Sequence, residues 1–402
     1  MTDLIKAVHY DRKETSNKTS IKKFGKNSTK KIWEFHKSFP EYNETPLVDL
    51  KNLAKNLGVD KIYVKDESYR FNLNAFKVLG GSYCLGSIIA DKLGLDISEL
   101  PYEKISSDEV KQKLGEITFV TATDGNHGRG IAWTANRLGQ KSVVYMPRGS
   151  SEERLNNIKS LGSDASILDL NYDDAVRFAS ESGQKNGWIL AQDTAWEGYE
   201  DIPSRIMQGY TTIGNEIMKQ LQETKPTHIF LQAGVGAMAG AITAFFADFY
   251  ADDEQPIIVI VEPDKADCIF RTASEKDGQL HSVTGDMDTI MAGLACGEPC
   301  TIGWDILRDY ADCFISMPDN IAAKGMRILG NPLADDTKIV SGESGAATLG
   351  LVAEVLQNKD LDWLKNQLKM DANSKILCLS TEGDTDQENY RKIVWDGLNP
   401  SF

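Results

Sequence analysis

Thr118-Phe119-Val120-Thr121 passes through the polar turn Ala122-Thr123-Asp124-Gly125-Asn126-His127 into a helical pattern over residues 128–138, then emerges as Lys141-Ser142-Val143-Val144-Tyr145-Met146. Two β-branched runs separated by one helix-length segment read as strand, helix, strand, with both strands pointing the same way. The pattern continues with a helix over 151–161, a strand over 164–168, a helix over 172–186 and a strand over 188–192. Such alternation predicts an α/β fold, a mainly parallel sheet with helices wound over its faces.

On the C-terminal side the alternation resumes. A helical pattern over 202–222 leads to the strand His228-Ile229-Phe230-Leu231-Gln232, a glycine-rich turn, a helix over 241–250 and the buried run Ile257-Ile258-Val259-Ile260-Val261-Glu262. A helix after Ser344-Gly345-Ala346 and the strand Lys375-Ile376-Leu377-Cys378-Leu379-Ser380 close the apolar pattern. On the N-terminal side, residues 50–58 form a helical segment closed by Gly58, and Lys61-Ile62-Tyr63-Val64-Lys65 a strand. At 402 residues the chain is too long for one small core. Two domains are expected, each a mainly parallel sheet wound with helices: residues 1–94 and 196–402 as a large domain, residues 95–195 as a small inserted one. Residues 1–30, rich in Lys, Ser, Thr and Asn, read as a mobile arm ahead of a folded body that begins near Ile32-Trp33.

With 41% hydrophobic and 26% charged residues the composition is that of a soluble globular protein. A net charge of -15 argues against nucleic acid or an anionic membrane as partner, since both would repel it. The six cysteines (Cys84, Cys268, Cys296, Cys300, Cys313 and Cys378) are scattered, without Cys-x-x-Cys or histidines at zinc-ligand spacing, so neither a metal site nor a disulfide scaffold is expected. No apolar run has membrane-span length and no signal-peptide core opens the chain, so a cytoplasmic location is expected.

Four loops carry groups that packing does not require. In Phe71-Asn72-Leu73-Asn74-Ala75-Phe76-Lys77, Asn74 is a good N-cap, and Ala75, Leu79 and Tyr83 recur at helical spacing, which predicts a helix over 75–93 with Lys77 in its first turn. Near the positive end of a helix dipole and among apolar neighbours an ammonium is disfavoured, and a neutral amine can attack a carbonyl to form a Schiff base. A lysine here can equally snorkel to solvent. The turn Ala233-Gly234-Val235-Gly236-Ala237-Met238-Ala239-Gly240 follows a strand and opens a helix, so its backbone N–H groups make an anion site fit for a phosphate. With Glu262 ending the next strand it also reads as a dinucleotide site, or as plain close packing. Asp124 can move a proton or cap a helix, while Asn126 can donate to a ligand oxygen. Asp193, in Gln192-Asp193-Thr194-Ala195-Trp196-Glu197-Gly198-Tyr199, sits beside two aromatics, where desolvation would raise its pKa or suit it to hold an ammonium.

Taken in order, Asn74-Ala75-Phe76-Lys77, Asp124-Gly125-Asn126-His127-Gly128, the Gly234 to Gly240 turn, Ser341-Gly342-Glu343-Ser344-Gly345 and Leu379-Ser380-Thr381-Glu382-Gly383-Asp384 resemble the motifs of the tryptophan synthase β-like, or fold type II, pyridoxal-phosphate enzymes. Asp193 to Tyr199 and Ala292-Gly293-Leu294-Ala295-Cys296-Gly297-Glu298-Pro299 look like those of its diaminopropionate ammonia-lyase branch. The resemblance spans residues 32–396. It implies that the cofactor is pyridoxal 5'-phosphate, in the cleft between the two domains. Lys77 would carry it covalently, Asn126 would contact its ring oxygen, and Gly234, Val235, Gly236, Ala237 and Met238 would hold its phosphate. Glu343 would border it and the Ser380 hydroxyl would face its ring nitrogen. The implied activity is α,β-elimination of a small amino acid, 2,3-diaminopropionate in the D or L form, to pyruvate and two ammonia, by a cytoplasmic homodimer. Where relatives acting on serine or threonine carry serine or alanine, this chain has Asp124. In the racemising relative that position is the base opposite the lysine, so Asp124 would take the α-proton of the D-isomer and Lys77 that of the L-isomer, with Asp193 complementing the substrate's β-ammonium. The alternatives are a serine or threonine dehydratase of the same fold, a nicotinamide-dependent oxidoreductase and a non-catalytic amino-acid sensor.

Overall fold

The computed structural model describes residues 5–10, 12, 18–123, 125–250 and 254–400. The chain divides into two compact units, one of Met1–Ile21, Glu44–Tyr69 and Glu216–Phe402, the other of Lys22–Asn43 and Arg70–Asn215.

The strands are, in chain order, β1 (Lys6–His9), β2 (Leu47–Asp49), β3 (Lys61–Asp66), β4 (Thr118–Ala122), β5 (Lys141–Met146), β6 (Asp164–Ile167), β7 (Ile189–Leu190), β8 (His228–Gln232), β9 (Ile257–Pro263), β10 (Cys313–Met317) and β11 (Lys375–Ser380). In the first unit seven of them form one sheet in the order β1-β10-β9-β8-β11-β3-β2. The five central strands are parallel, and only the edge strands β1 and β2 run antiparallel to their neighbours. β9 and β10 are the apolar runs such a position demands, because helices cover both faces: Val259, Val261 and Ile315 pack in one cluster with Phe230, Ile376 and the helices Asp319–Gly330 and Glu343–Gln357. Those helices come into backbone contact. A Cβ on Gly350 would sit 2.0 Å from the Ile321 carbonyl oxygen, and one on Gly325 would sit 2.2 Å from that of Ala346. With the central strands parallel, Gln232, Glu262 and Ser380 all lie toward the C-terminal edge of the sheet, where open α/β sheets bind ligands.

The second unit holds a four-stranded, wholly parallel sheet in the order β6-β5-β4-β7. The helices Asn126–Arg137, Glu152–Lys159 and Tyr172–Asn186 alternate with its strands. The α/β class, the strand–helix alternation and the parallel pairing agree with expectation.

Several details differ. The inserted unit takes in Lys22–Asn43 as well as Arg70–Asn215, wider than residues 95–195. The reason is glycine packing: Gly81 on helix Val78–Leu93 meets Gly130 on helix Asn126–Arg137, where an added Cβ on Gly130 would sit 2.9 Å from Val78 Cα. The N-terminal segment is not a mobile arm in its described parts. Lys6–His9 pairs with β10, and Phe24 and Thr29 are buried. The strand expected over 188–192 is reduced to Ile189–Leu190: after Ala191 N donates to the Val120 carbonyl (2.8 Å), the Gln192 side chain takes over from the backbone, its Oε1 accepting from Ala122 N at 3.0 Å and from Thr121 Oγ1 at 2.9 Å.

Candidate active site

In the second unit, three non-glycine residues ahead of Lys77 adopt left-handed backbone, Phe71 (φ 47°), Asn72 (φ 59°) and Asn74 (φ 58°). Asn74 is therefore not the N-cap of this helix. The helix starts at Val78, and Lys77 is its N-cap residue rather than a member of its first turn. Left-handed backbone is unfavourable for a bulky side chain such as Phe71, so this segment is held by its surroundings. The buried Phe71 ring packs edge-on against Phe39 and tilts on Trp133, at 5.6 and 5.1 Å between centroids. Behind the helix start the buried His36 meets the Leu79 carbonyl (3.1 Å), Ser82 Oγ (2.9 Å) and Thr212 Oγ1 (2.7 Å).

Lys77 does not snorkel to solvent. Its Nζ lies 2.6 Å from Oδ2 of the buried Asp193. His127, second residue of helix Asn126–Arg137, shares that carboxylate from the other side: its Nδ1 is 3.7 Å from Asp193 Oδ2, while its Nε2 donates to the Ala191 carbonyl at 2.7 Å. Burial alone would raise the pKa of Asp193, but the His127 and Lys77 charges and the Lys77 hydrogen bond more than offset it and hold the carboxyl at about 2. The raised pKa considered from the sequence is thus corrected: the carboxylate is ionised and paired with the Lys77 ammonium. Around Asp193, Trp196 and Tyr199 stack at 4.3 Å. The Tyr199 hydroxyl donates to the Leu190 carbonyl (2.9 Å) and accepts from Gln192 N (3.0 Å). In the polar turn, Thr123 Oγ1 accepts from Gly125 N (3.0 Å) and Gly128 N (3.2 Å), which fastens the backbone that presents Asn126, a half-buried residue at the helix start. Asp124 lies outside the described residues.

In the first unit, the turn after β8 places Gly234 and Val235 before Gly236, whose φ of 89° admits glycine readily, and the helix Ala237–Phe249 opens at once with Ala237 and Met238. The turn is pinned by Cys300 N donating to the Val235 carbonyl (2.8 Å) and by Cys268 Sγ, 3.5 Å from the Gly234 carbonyl. Glu262 is buried and accepts from Ile269 N (2.9 Å) and Phe270 N (2.6 Å), so it fastens the start of helix Cys268–Glu275 instead of facing a ribose. Burial pushes its pKa well above the usual carboxylate range. At the end of β11 the buried Ser380 Oγ donates to Ser341 Oγ at 2.8 Å. Gln232 Nε2 ties three segments together through the Ser344 carbonyl (2.9 Å), the Leu379 carbonyl (3.0 Å) and Thr381 Oγ1 (3.0 Å). Glu343 heads the helix Glu343–Gln357, accepts from Asn389 Nδ2, and has its pKa raised to about 7 by burial and by the neighbouring Glu382. The tying roles of Gln192 and Gln232 escaped the sequence reading; their signal is a glutamine at or just past a strand's C-terminal end.

Residues 39–363 match the family model for pyridoxal-phosphate dependent enzymes. The chain is 50% identical to the diaminopropionate ammonia-lyase of Salmonella typhimurium across 99% of both chains. It belongs to the pyridoxal-phosphate dependent enzymes. The diaminopropionate ammonia-lyase of Escherichia coli (strain K12) is 49% identical across 93% of both chains. Among solved structures, the E. coli diaminopropionate ammonia-lyase in complex with D-serine superposes with a TM-score of 0.91 at 45% identity over 98% of both chains. The same enzyme with an aminoacrylate-PLP azomethine reaction intermediate gives 0.89 at 44% identity, again over 98% of both chains.

The cofactor of this pyridoxal-phosphate dependent enzyme is pyridoxal phosphate, and each unit holds groups suited to it. The Gly234–Met238 turn with its helix start suits a phosphate. At the same sheet edge two buried polar atoms, Gln232 Oε1 and Ser344 Oγ, have no hydrogen-bond partner among the described residues, as befits a surface that meets a polar ligand. Lys77 offers an amine whose charge a carboxylate already compensates. Among the described residues no group of three or more His, Cys, Asp or Glu is placed to hold a metal ion, and no helix is long and apolar enough to cross a membrane.

Proposed function

We propose the following division of labour for the reaction, which is the pyridoxal-phosphate-dependent α,β-elimination of 2,3-diaminopropionate to pyruvate and two ammonia, the work of a carbon–nitrogen lyase. The bound cofactor supplies the electron sink that makes the α-proton removable. Lys77 Nζ holds the cofactor until substrate replaces it, then as a free amine takes the α-proton of the L-isomer. Asp124 takes that of the D-isomer from the opposite face. The β-nitrogen, already an ammonium, leaves as ammonia without a further proton, and the proton taken from the α-carbon is given back as the released aminoacrylate hydrolyses to pyruvate and the second ammonia. Asp193 keeps its charge and holds the β-ammonium of the substrate. Asn126 contacts the ring oxygen, Gly234, Val235, Gly236, Ala237 and Met238 hold the phosphate, and Glu343 lies beside the ring. The Ser380 hydroxyl, a neutral partner for the ring nitrogen, leaves that nitrogen largely unprotonated, which suits a carbanion drained at once by its leaving group.

The observation that carries this reading is the 2.6 Å ion pair between Lys77 Nζ and Asp193 Oδ2. A carboxylate that pairs with an ammonium in the resting protein is charge-matched to an ammonium on the substrate, and serine has no such group on its β-carbon. Borohydride reduction of the holoenzyme followed by peptide mapping tests the lysine, with the label expected on Lys77. Asp193→Asn tests the ammonium holder: KM for diaminopropionate is expected to rise at least about tenfold, the worth of one lost charge-assisted contact, while KM for D-serine stays within a factor of about two. An equal rise for both substrates would discard the assignment. The enzyme is further proposed to act in the cytoplasm as a homodimer. Its free cysteines fit the first, and exposed Trp363 and Trp395 offer apolar surface for the second.

A further inference from the structure

Asp193 is 5% exposed, and a carboxylate so placed needs a compensating charge throughout the catalytic cycle. Lys77 meets that need only while its Nζ is an ammonium at 2.6 Å; once Nζ is bonded to the cofactor, the carboxylate must be balanced from elsewhere. His127 is in position to do so. The Ala191 oxygen, 2.7 Å from Nε2, can only accept, so Nε2 carries a hydrogen in either protonation state. A neutral His127 would therefore aim the lone pair of Nδ1 at Asp193, whereas the imidazolium aims an N–H. At 3.7 Å this contact is an ion-pair distance rather than a hydrogen bond, so the attraction is Coulombic and no proton is shared.

We propose that His127 is a positioning residue: as an imidazolium it keeps Asp193 ionised and oriented toward the β-ammonium of the substrate while Lys77 is engaged with the cofactor. The proposal rests on the role given to Asp193 above. Among the described residues, titratable groups around the pair include Lys77, from the segment before helix Val78–Leu93, and the Tyr199 hydroxyl, from the loop that carries Asp193. Burial pushes the Tyr199 pKa well above its usual value, so it stays neutral throughout. Tyr172 reaches the same loop through Gln192 Nε2, and Asp124 belongs to the turn that precedes His127. Removal of the Lys77 cation leaves the Asp193 anion facing His127 without that competing positive charge, which raises the affinity of His127 for its proton.

The test is side-chain nitrogen NMR of the histidine-labelled enzyme with and without cofactor. The chain has five histidines, and the His127 signals are assigned by their loss in His127→Gln or, if that variant does not fold, by eliminating His9, His36, His228 and His281 in turn. In the holoenzyme both ring nitrogens of His127 are expected to be protonated at neutral pH, with a titration midpoint about one unit higher than in the cofactor-free protein. A neutral Nε2–H ring in the holoenzyme, or the same midpoint in both forms, overturns the proposal. A kinetic cycle separates this from the reading of Asp193. His127→Gln is expected to raise KM for diaminopropionate about tenfold in the wild-type background and to leave it unchanged in the Asp193→Asn background; equal losses in both mean that His127 serves the fold and not Asp193. If the titration behaves as expected but Asp193→Asn has no effect on KM, Asp193 is not the ammonium holder, and His127 remains its counter-ion.

Discussion

At the scale of single residues, Glu343 and Asp193 are acids in different environments, and Asp124 is the base proposed for the D-isomer. Replacing Asp124 by Asn is expected to abolish turnover of D-diaminopropionate and spare that of the L-isomer, read as pyruvate release from each enantiomer; equal loss on both removes the two-base assignment. Glu343 makes a prediction about stability. Its folded pKa of about 7 lies above the ordinary 4.5, so between those values the folded chain binds more protons than the unfolded one, and stability falls as pH rises through that window. Above pH 7 the full penalty, on the order of 3 kcal/mol, is present. Glu343→Gln keeps an oxygen for Asn389 and removes the charge, so it should melt higher than wild type at pH 8 and alike near pH 4.5. A variant melting at the wild-type temperature at both pH values would mean that Glu343 is already neutralised. The sequence made such residues visible as candidates, since unpaired polar groups at strand ends have no packing purpose. It could not disclose their partners: that Lys77 and His127 meet the same carboxylate depends on contacts between residues 77, 127 and 193, and no local pattern records such distances.

At the scale of elements, the helix that follows Lys77 is positioned by glycines. Alanine would ordinarily improve the interior of helix Asn126–Arg137 by about 1 kcal/mol over Gly130. Here its Cβ would meet the backbone of Val78, at 2.9 Å from Cα and 3.1 Å from N, and a backbone cannot step aside as a side chain can. Overpacking costs about 1–3 kcal/mol and wins. Gly130→Ala is therefore expected to lower the melting temperature and, by displacing the residue next to Lys77, to weaken cofactor retention, measured by absorbance after dialysis. Unchanged melting and retention would show that the two helices can part without cost. Strands flanked by amphipathic helices were legible because their two periodicities differ. β10 was not, since Cys313 to Met317 is a five-residue run without period-two alternation, which does not by itself distinguish a strand from a buried helix segment. The start of the lysine helix was misplaced because Asn74, a good cap by type, takes the left-handed conformation that asparagine tolerates.

At the scale of the whole molecule, the α/β class was legible while the partition of the chain was not. Residues 70–94 look like a continuation of the N-terminal body until Gly81 and Gly130 bring helix Val78–Leu93 against the smaller sheet. The seven-stranded sheet has a further property. One flank is closed by β1, four residues with exposed Lys6 and His9 at its ends, laid antiparallel on β10. Beneath it β10 is entirely buried and almost wholly apolar. Without those first residues, a flat greasy strand would offer its bare amide and carbonyl row to any neighbour, the template from which intermolecular sheet growth begins. Deletion of residues 1–10 should therefore give an enzyme that is active when dilute and scatters light as concentration or temperature rises, whereas the full-length chain stays clear. The N-terminal strand, remote in sequence from every catalytic group, would then act as a guard against self-adhesion.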